Sequence, residues 1–263
     1  MSDSSTRPSS TTTSSSAAAP RARGVDRVIA LCEQLHLHRQ PMTPKALMEA
    51  TGAPRSSVYE LINLLSEAGW LETESDGRVF FGRAMHYFGL DYADHNDLLK
   101  RARPVMRELS ARYDETTQLC MLDGDKYTVM LNENGARPFR ISSEVGVKVP
   151  IPWTASGRVL LGGMSREAML GLVPDEDFML PDGERIDIDG FIAEIELTQQ
   201  RGYALTEGLV DSFACCMAVP IHEGTDRARA TLCFTIGRDA DESRRETLIG
   251  ALREASFMLS NTD

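Results

Sequence analysis

The sequence predicts an α+β protein of two domains, a small helical domain near the N-terminus and a larger domain built on an antiparallel sheet. At 263 residues the chain is too long for one small domain. Its first third carries three closely spaced helical patterns and one hairpin signal, whereas the rest alternates strand patterns, turns and amphipathic helices. The predicted boundaries are a tail at 1–23, the first domain at 24–82, a linker helix at 83–97 and the second domain at 98–263.

The first twenty residues are almost entirely Ser, Thr, Ala and Pro. Such a segment buries too little apolar surface to offset the entropy lost on ordering, so a disordered tail is predicted. Arg21 and Arg23 would lie at the edge of the folded part, either solvated or in contact with phosphate groups.

Two helices are predicted next. Between Gly24 and about His36, apolar residues recur at steps of three and four, which predicts one buried helix face made of Val25, Val28, Ile29, Cys32 and Leu35. The second helix begins after Thr43, which suits an N-cap, and ends at Gly52. Pro44 fits its first position.

A third helix is predicted from about Pro54 to Gly69, with Val58, Leu61, Ile62 and Leu65 as its buried stripe. Its opposite face is polar. Two short helices joined by a glycine turn are typical of a helix-turn-helix, in which the second helix enters the DNA major groove. The exposed polar positions of this helix are Arg55, Ser56, Ser57, Tyr59, Glu60 and Asn63.

A hairpin follows the third helix. Residues 70–74 and 78–81 read as strands, and the Asp76-Gly77 pair between them is a strong signal for a tight turn. Three helices followed by a hairpin predict a winged helix-turn-helix, with Arg78 placed to reach the DNA backbone. The predicted DNA-binding residues are Thr43, Arg55, Ser56, Ser57, Tyr59, Glu60, Asn63 and Arg78.

The segment from Arg83 to about Tyr113 is mostly helical in pattern, with an interruption near residues 94–97 and a proline at 104. It carries more apolar surface than a small winged domain can cover. We therefore expect this linker region to contribute to a homodimer.

The second domain is predicted to be an antiparallel sheet with helices packed against it. Its strand patterns lie at 116–122, 127–131, 139–142, 215–221 and 230–236. Its helical patterns lie at 154–162, 166–172, 188–201 and 242–259, and Gly202 ends the third of these.

Composition excludes several classes of protein. No apolar run approaches the roughly 20 residues of a membrane span, and the N-terminus lacks a signal peptide, which predicts a cytoplasmic protein with no membrane partner. The net charge of -11 argues against indiscriminate binding of nucleic acid. The five cysteines show no CxxC spacing, and the five histidines are scattered, so neither a metal nor a cofactor is expected.

Known catalytic motifs are also missing. The sequence holds no GxSxG, no HExxH and no glycine-rich phosphate loop, so we predict that the protein is not an enzyme. Cys216 offers an alternative as the nucleophile of a cysteine-dependent enzyme. Its apolar neighbours favour a buried thiol instead, because such surroundings raise a thiol pKa.

Three stretches of the second domain are distinctive: VPIPWTASGRVLL at 149–161, RGYALTEG at 201–208, and CCMAVPI with RATLCFTIG at 215–237. Together with the predicted winged helix-turn-helix, they resemble the IclR family of bacterial transcriptional regulators over about residues 21–261. The resemblance implies a GAF-like effector-binding domain behind the DNA-binding head, dimers or tetramers on operator DNA with paired half-sites, and a small-molecule effector.

By position, the resemblance assigns eight residues to effector binding: Ile141, Ala155, Ser156, Gly157, Thr206, Cys216, Cys233 and Thr235. A small organic acid suits this set, since the free amides of a helix N-terminus favour a carboxylate. The alternative is structural: the cysteines would pack in the core, and the two threonine hydroxyls would bond to backbone.

This chain departs from the family pattern in two places. Thr206 stands where several relatives carry an acidic residue, so the effector need not match theirs. Glu60 stands in the reading helix where the family frequently has Arg, so the operator sequence cannot be transferred. Repression is the predicted sign of control, with activation as the alternative.

Overall fold

A computed structural model describes residues 20–136 and 144–261, with side chains from Gly24 onwards. The chain divides into two compact units between Asp91 and Tyr92. The N-terminal unit contains α1 (Pro20–His38), α2 (Pro44–Thr51), α3 (Arg55–Glu67), β1 (Leu71–Thr73) and β2 (Val79–Phe81). The helix α4 (Arg83–His95) spans the division.

The predicted winged helix-turn-helix is confirmed, and its local signals act as expected. The Thr43 hydroxyl accepts a hydrogen bond of 3.1 Å from the Ala46 amide and caps α2. Gly52 ends this helix with a φ of 65°, a left-handed conformation that favours glycine. The strands β1 and β2 pair in antiparallel fashion around the predicted turn.

The buried face of α1 differs from the prediction. Leu31 and Leu35 are buried, whereas Val25 and Ile29 are 60% and 50% exposed. The prediction omitted Leu31, which lies on the same face as Leu35 one turn away. The predicted buried face was therefore displaced around the helix by part of a turn from the observed one. The core of this unit consists of Leu31, Leu35, Met42, Leu47, Val58, Ile62, Leu71 and Val79.

The hairpin is attached to the helices through backbone contacts. Met42, between α1 and α2, exchanges two backbone hydrogen bonds of 3.0 and 2.8 Å with Val79 of β2. At the end of the hairpin Gly82 lies so close to the Gly69 carbonyl that a Cβ atom would collide with it. The wing is therefore held against both ends of the helix-turn-helix.

The C-terminal unit is an antiparallel sheet with helices on both faces. Its helices are α5 (Asp97–Tyr113), α6 (Ala155–Leu160), α7 (Arg166–Leu172), α8 (Ile188–Arg201) and α9 (Glu242–Ser260). Its strands are β3 (Thr116–Asp123), β4 (Lys126–Glu133), β5 (Lys148–Pro150), β6 (Ala204–Glu207), β7 (Ala214–His222) and β8 (Ala228–Gly237). The strand order is β5-β4-β3-β8-β7-β6, and the predicted α+β class is confirmed.

The two faces of this sheet have different roles. One face packs on α5 and α9 through a large apolar cluster that includes Met106, Phe234 and Leu252. The other face packs on the short helix α6 through a smaller cluster that includes Val159 and Cys233. Only part of this second face is covered by helix, which leaves room for a cavity.

Two strands of this unit were not predicted, the edge strands β5 and β6. The predicted strand at 139–142 falls in 137–143, outside the described residues. The predicted interruption near residue 96 is present, because Asn96 caps α5 by accepting a 3.2 Å hydrogen bond from the Leu99 amide.

Candidate functional site

The polar face of α3 is open to solvent in the N-terminal unit. Arg55, Ser56, Tyr59, Glu60 and Asn63 are all exposed. The Arg55 guanidinium lies 5.5 Å from the centre of the Tyr59 ring, within the range of a cation–π contact. No ion pair joins Glu60 to Arg55 in the described part of the chain, so the Glu60 carboxylate faces outward as an acceptor.

Two hydroxyl groups among the predicted DNA-binding residues have hydrogen-bond partners inside the protein. Ser57 is half-buried, and its hydroxyl accepts a hydrogen bond of 3.0 Å from Arg27 of α1. The Thr43 hydroxyl is occupied as the cap of α2, although the residue itself is exposed. Ser57 therefore ties the third helix to the first.

Arg78 lies on the wing between two carboxylates. It pairs with Asp76 at 2.7 Å and with Glu74 at 2.9 Å. Hydrogen bonds from the backbone and side chain of Arg78 lower the pKa of the Asp76 carboxyl, and the same pairing raises the pKa of the guanidinium. A DNA phosphate would have to compete with both carboxylates for this cation.

In the C-terminal unit, three predicted effector residues form one row across the sheet. Thr206 of β6 pairs with Cys216 of β7, and Cys216 pairs with Thr235 of β8. Directly paired residues in a sheet point to the same side, and Cys233 joins them because it lies two positions from Thr235. The Cys216 sulfur is 3.9 Å from the Thr235 hydroxyl.

This row forms part of the wall of a cavity of about 500 Å³ on the face of the sheet that carries α6. Five predicted residues line it: Ser156, Thr206, Cys216, Cys233 and Thr235. Cavities of a few hundred Å³ with scattered polar groups are the usual form of small-molecule sites. The structure thus brings together residues that are up to 79 positions apart.

The other three predicted effector residues are placed differently. Ala155 is fully buried in the apolar cluster under α6, and it is not among the described residues that line the cavity. Gly157 is also away from this wall, and its Cα lies so close to the Ile151 carbonyl that a Cβ atom could not fit. Ile141 lies outside the described residues.

Several residues of the wall were not predicted from the sequence. The buried Tyr127 hydroxyl is 2.8 Å from the Thr154 hydroxyl, so the latter does not cap α6. Burial raises the pKa of the Tyr127 phenol well above its usual value. Gln118 and Trp153 also line the cavity. Strand alternation could have identified Tyr127, since it begins a predicted strand directly after the Asp-Gly turn at 123–125.

Among the described residues, two charged side chains also line the cavity, Asp211 and Lys148. The Lys148 ammonium is mostly exposed and lies 3.1 Å from the Asp123 carboxylate. The polar groups deeper in the wall are neutral hydroxyls, thiols and an amide. The described part of the wall would therefore recognise a bound molecule chiefly by neutral hydrogen bonds and by shape.

Arg158 does not line the cavity itself but contacts the segment 152–154, part of which does. Its side chain is buried, with 3% of its surface exposed. Its guanidinium donates to the Pro152 and Thr154 carbonyls at 2.9 and 3.0 Å, pairs with Glu194 and lies over the Phe191 ring. Burial lowers the pKa of this guanidinium, and Glu194 opposes that shift. Arg158 thereby holds the 152–154 segment that carries part of the wall.

The thiol of Cys216 is a poor nucleophile in this environment. Burial raises its pKa to about 12, and the neighbouring Cys233 adds to the shift. At pH 7 about one molecule in 10⁵ then carries the thiolate.

We therefore expect iodoacetamide to leave Cys216 unmodified in the folded protein near neutral pH. The rate should rise about tenfold for each pH unit up to the pKa, because only the thiolate reacts. Peptide mass spectrometry measures the modification, and Cys216→Ser identifies the peptide. Labelling at neutral pH as fast as that of glutathione would contradict this prediction and favour the cysteine-dependent enzyme.

Within residues 20–136 and 144–261, no three His, Cys, Asp or Glu side chains converge as metal ligands would. Every helix described there is too short or too polar to cross a bilayer.

Comparison with known proteins agrees with both units. Residues 24–75 match the IclR helix-turn-helix domain, and residues 90–261 match the family described as bacterial transcriptional regulator IclR C-terminal. The regulator KipR of Bacillus subtilis is 27% identical over 229 residues, which cover 86% of this chain and 91% of KipR.

Solved structures show the same fold. An IclR transcriptional regulator from Alicyclobacillus acidocaldarius aligns with a TM-score of 0.80 and 18% identity, covering 90% of this chain and 97% of the other. An IclR homologue from Microbacterium hydrocarbonoxydans, solved with 4-hydroxybenzoate, aligns with a TM-score of 0.79 and 22% identity over 90% and 97% of the two chains. The exposed face of α3, the cavity beside α6 and the matches over both units lead to one conclusion: the chain belongs to the IclR family of bacterial transcriptional regulators.

Proposed function

We propose that this protein is a one-component repressor that acts in the bacterial cytoplasm as a homodimer or homotetramer. Its α3 helices would read paired half-sites of an operator, and a small organic acid in the α6 cavity would weaken that binding. The observation that carries the proposal is the pairing of an open polar face on α3 with a 500 Å³ cavity in a separate unit. Repression requires only that the operator be occupied, whereas activation also requires a surface for the polymerase.

The exposed side chains of α3 support sequence-specific readout. Arg55 can donate to guanine, Asn63 can pair with adenine, and Glu60 can accept from the cytosine amino group. Ser56 and Tyr59 can donate to phosphates, as can the free amides at the helix N-terminus. Ser57 and Thr43 are assigned an indirect part, because their hydroxyls already have partners.

A footprint on the DNA upstream of the protein's own gene tests DNA binding. Specific protection is expected, and its affinity should fall steeply with salt, since each phosphate contact contributes a slope of about -0.9 in log K against log [salt]. Absence of any salt-dependent specific protection, on this DNA and on a library of genomic fragments, would refute the proposal.

The wing provides a further prediction. Replacing Glu74 with Gln and Asp76 with Asn is expected to strengthen DNA binding several-fold, because it removes two charges that repel phosphate and frees the Arg78 guanidinium. The salt slope should steepen by about one phosphate contact. Fluorescence anisotropy with operator DNA measures both quantities.

Glu246→Gln is the matched control for the wing variant, because it removes an exposed carboxylate from the other unit. It should leave the affinity and the salt slope unchanged. If the wing variant instead weakens binding, the wing does not approach DNA through Arg78.

The cavity supports a monocarboxylic acid that also carries a hydroxyl or an aromatic ring. Its carboxylate would accept hydrogen bonds from the Ser156 and Thr154 hydroxyls. A donor group at the opposite end of the molecule would bond to the Asp211 carboxylate. The related protein solved with 4-hydroxybenzoate makes aromatic hydroxy acids the first compounds to test.

A thermal-shift screen of small organic acids identifies the effector class. A ligand at 100 times its Kd should stabilise the protein by about 2.7 kcal/mol and should reduce operator affinity in the same buffer. The double variant Thr206→Val with Thr235→Val should lose this stabilisation while it still binds DNA. An acid that stabilises both proteins equally binds outside the cavity, which would contradict the assignment.

A further inference from the structure

A second cavity lies in the C-terminal unit at the other end of α6. Ser156, near the start of α6, lines the first cavity, whereas Val159 and Gly162, near its end, line the second. The second cavity has a volume of about 480 Å³ and continues into an open groove of about 520 Å³. The cavity and the groove share a wall made of Gly202, Pro220, His222, Thr225 and Asp226.

Thr198 of α8 presents an unpaired hydroxyl in this second cavity. The residue is 3% exposed, and its Oγ1 atom has no hydrogen-bond partner among the described residues. Other helical threonines of this protein donate to the carbonyl one turn earlier, Thr51 to Leu47 at 2.7 Å and Thr247 to Ser243 at 2.9 Å. Thr198 does not, and a buried hydroxyl without a partner is destabilising.

His222 presents a second unpaired group at the junction of the cavity and the groove. Its Nδ1 atom is buried and has no partner in the described part of the chain. The register of β7 against β8 shifts between Ile221 and His222, and such bulges commonly re-aim a side chain. Its backbone amide donates to Ser260 at 3.0 Å, which fixes the residue in place.

The charges in the wall are balanced. Among the described residues that line the cavity and the groove, Asp226 supplies one carboxylate and Arg253 supplies one guanidinium. Arg253 donates to the Arg201 carbonyl and lies 5.1 Å from the centre of the Tyr203 ring, so its position is set by the protein. No net charge would select an anion or a cation.

From these observations we propose that the second cavity is a binding site for a small neutral polyhydroxylated compound, such as a polyol or a sugar of monosaccharide size. Each hydroxyl of such a compound donates and accepts at once, which suits the Thr198 hydroxyl, the His222 Nδ1 atom and the Asp226 carboxylate. An ionised carboxylate only accepts hydrogen bonds and cannot donate to Asp226, whereas an ammonium only donates and cannot accept from the Thr198 hydroxyl.

The test uses the full-length protein with myo-inositol and D-glucose as probes, and saturation-transfer NMR as the measurement. At least one probe should bind at millimolar concentration. Asp226→Ala should weaken binding at least tenfold, and this variant should fold normally because Asp226 lies in an exposed turn. Thr206→Val, in the first cavity, should leave polyol binding unchanged.

Thr198→Val separates a binding role from a structural one. It should abolish polyol binding and raise the Tm by about 2–4 °C, because it removes an unpaired buried hydroxyl. Thr51→Val, which removes a paired hydroxyl, should not raise the Tm. The proposal is overturned if neither probe binds, if binding survives both Asp226→Ala and Thr198→Val, or if Thr198→Val lowers the Tm. The organic-acid response of the first cavity is a separate measurement, so either proposal can fail alone.

Discussion

Replacing Arg55 with alanine is expected to reduce specific operator binding more than any other single change on α3. Arg55 is exposed at the first turn of the reading helix, and its guanidinium lies within the range of a cation–π contact with the Tyr59 ring. A bidentate contact of arginine with a base is worth about 1–3 kcal/mol, which corresponds to about 5- to 150-fold in affinity for each half-site. Anisotropy titrations against operator DNA and scrambled DNA measure the loss and its specificity.

Arg107→Ala is the matched control for this variant. Arg107 is an exposed arginine of the C-terminal unit, and its 3.3 Å pair with Glu133 lies at the surface. Its removal should leave the ratio of operator to scrambled affinity unchanged. An equal loss of affinity for both DNAs in Arg55→Ala would show that Arg55 contacts phosphate rather than a base.

The second large effect is expected from Arg158→Met. The substitution keeps an unbranched apolar stem but removes the guanidinium, which leaves the Pro152 and Thr154 carbonyls without their donor in a buried place. A buried acceptor left without its hydrogen bond costs about 1–3 kcal/mol, so the loss of both bonds costs about 2–6 kcal/mol. At about 2–4 °C per kcal/mol for a unit of this size, we expect the Tm of the C-terminal unit to fall by about 4–24 °C in calorimetry.

Arg158→Met should also impair the effector response, because the 152–154 segment carries Trp153 and Thr154 of the cavity wall. The control is Arg166→Met, since the Arg166–Asp189 pair is largely exposed and such pairs contribute about 0–1 kcal/mol. Similar Tm changes in the two variants would contradict a special role for the buried guanidinium.

Local signals explain why much of the fold could be predicted. The cap at Thr43 and the glycines at 52 and 202 each act within a few residues of the helix end that they specify. The helix predicted at 188–201 has the observed bounds, because a capping Asp187 and a terminal glycine enclose a clear pattern. The strands β7 and β8 were predicted from two nearly continuous apolar runs separated by a polar turn, which is again a local signal.

Features that depend on distant partners could not be predicted. The strand β5 has only three residues, too few to show a period, and it exists because β4 pairs with it. The burial of Arg158 depends on Glu194, 36 residues away, and on backbone carbonyls that no pattern reveals. Gly157 belongs to a motif of the family, yet the structure explains it by a close approach to Ile151 rather than by a place in the cavity wall.

The length of the exposed face of α3 limits how much sequence information one winged helix-turn-helix can read. Ser57 is turned towards α1, and the remaining outward positions run from Arg55 to Asn63, about 12 Å of helix, which spans about four base pairs. Four fully specified base pairs carry about 8 bits of sequence information, whereas distinguishing one site from at least 10⁶ competing sites requires about 20 bits. A single DNA-binding domain therefore recognises a short base sequence that recurs by chance every few hundred base pairs. The missing information has to come from further copies of the domain and from the shape of the DNA between them.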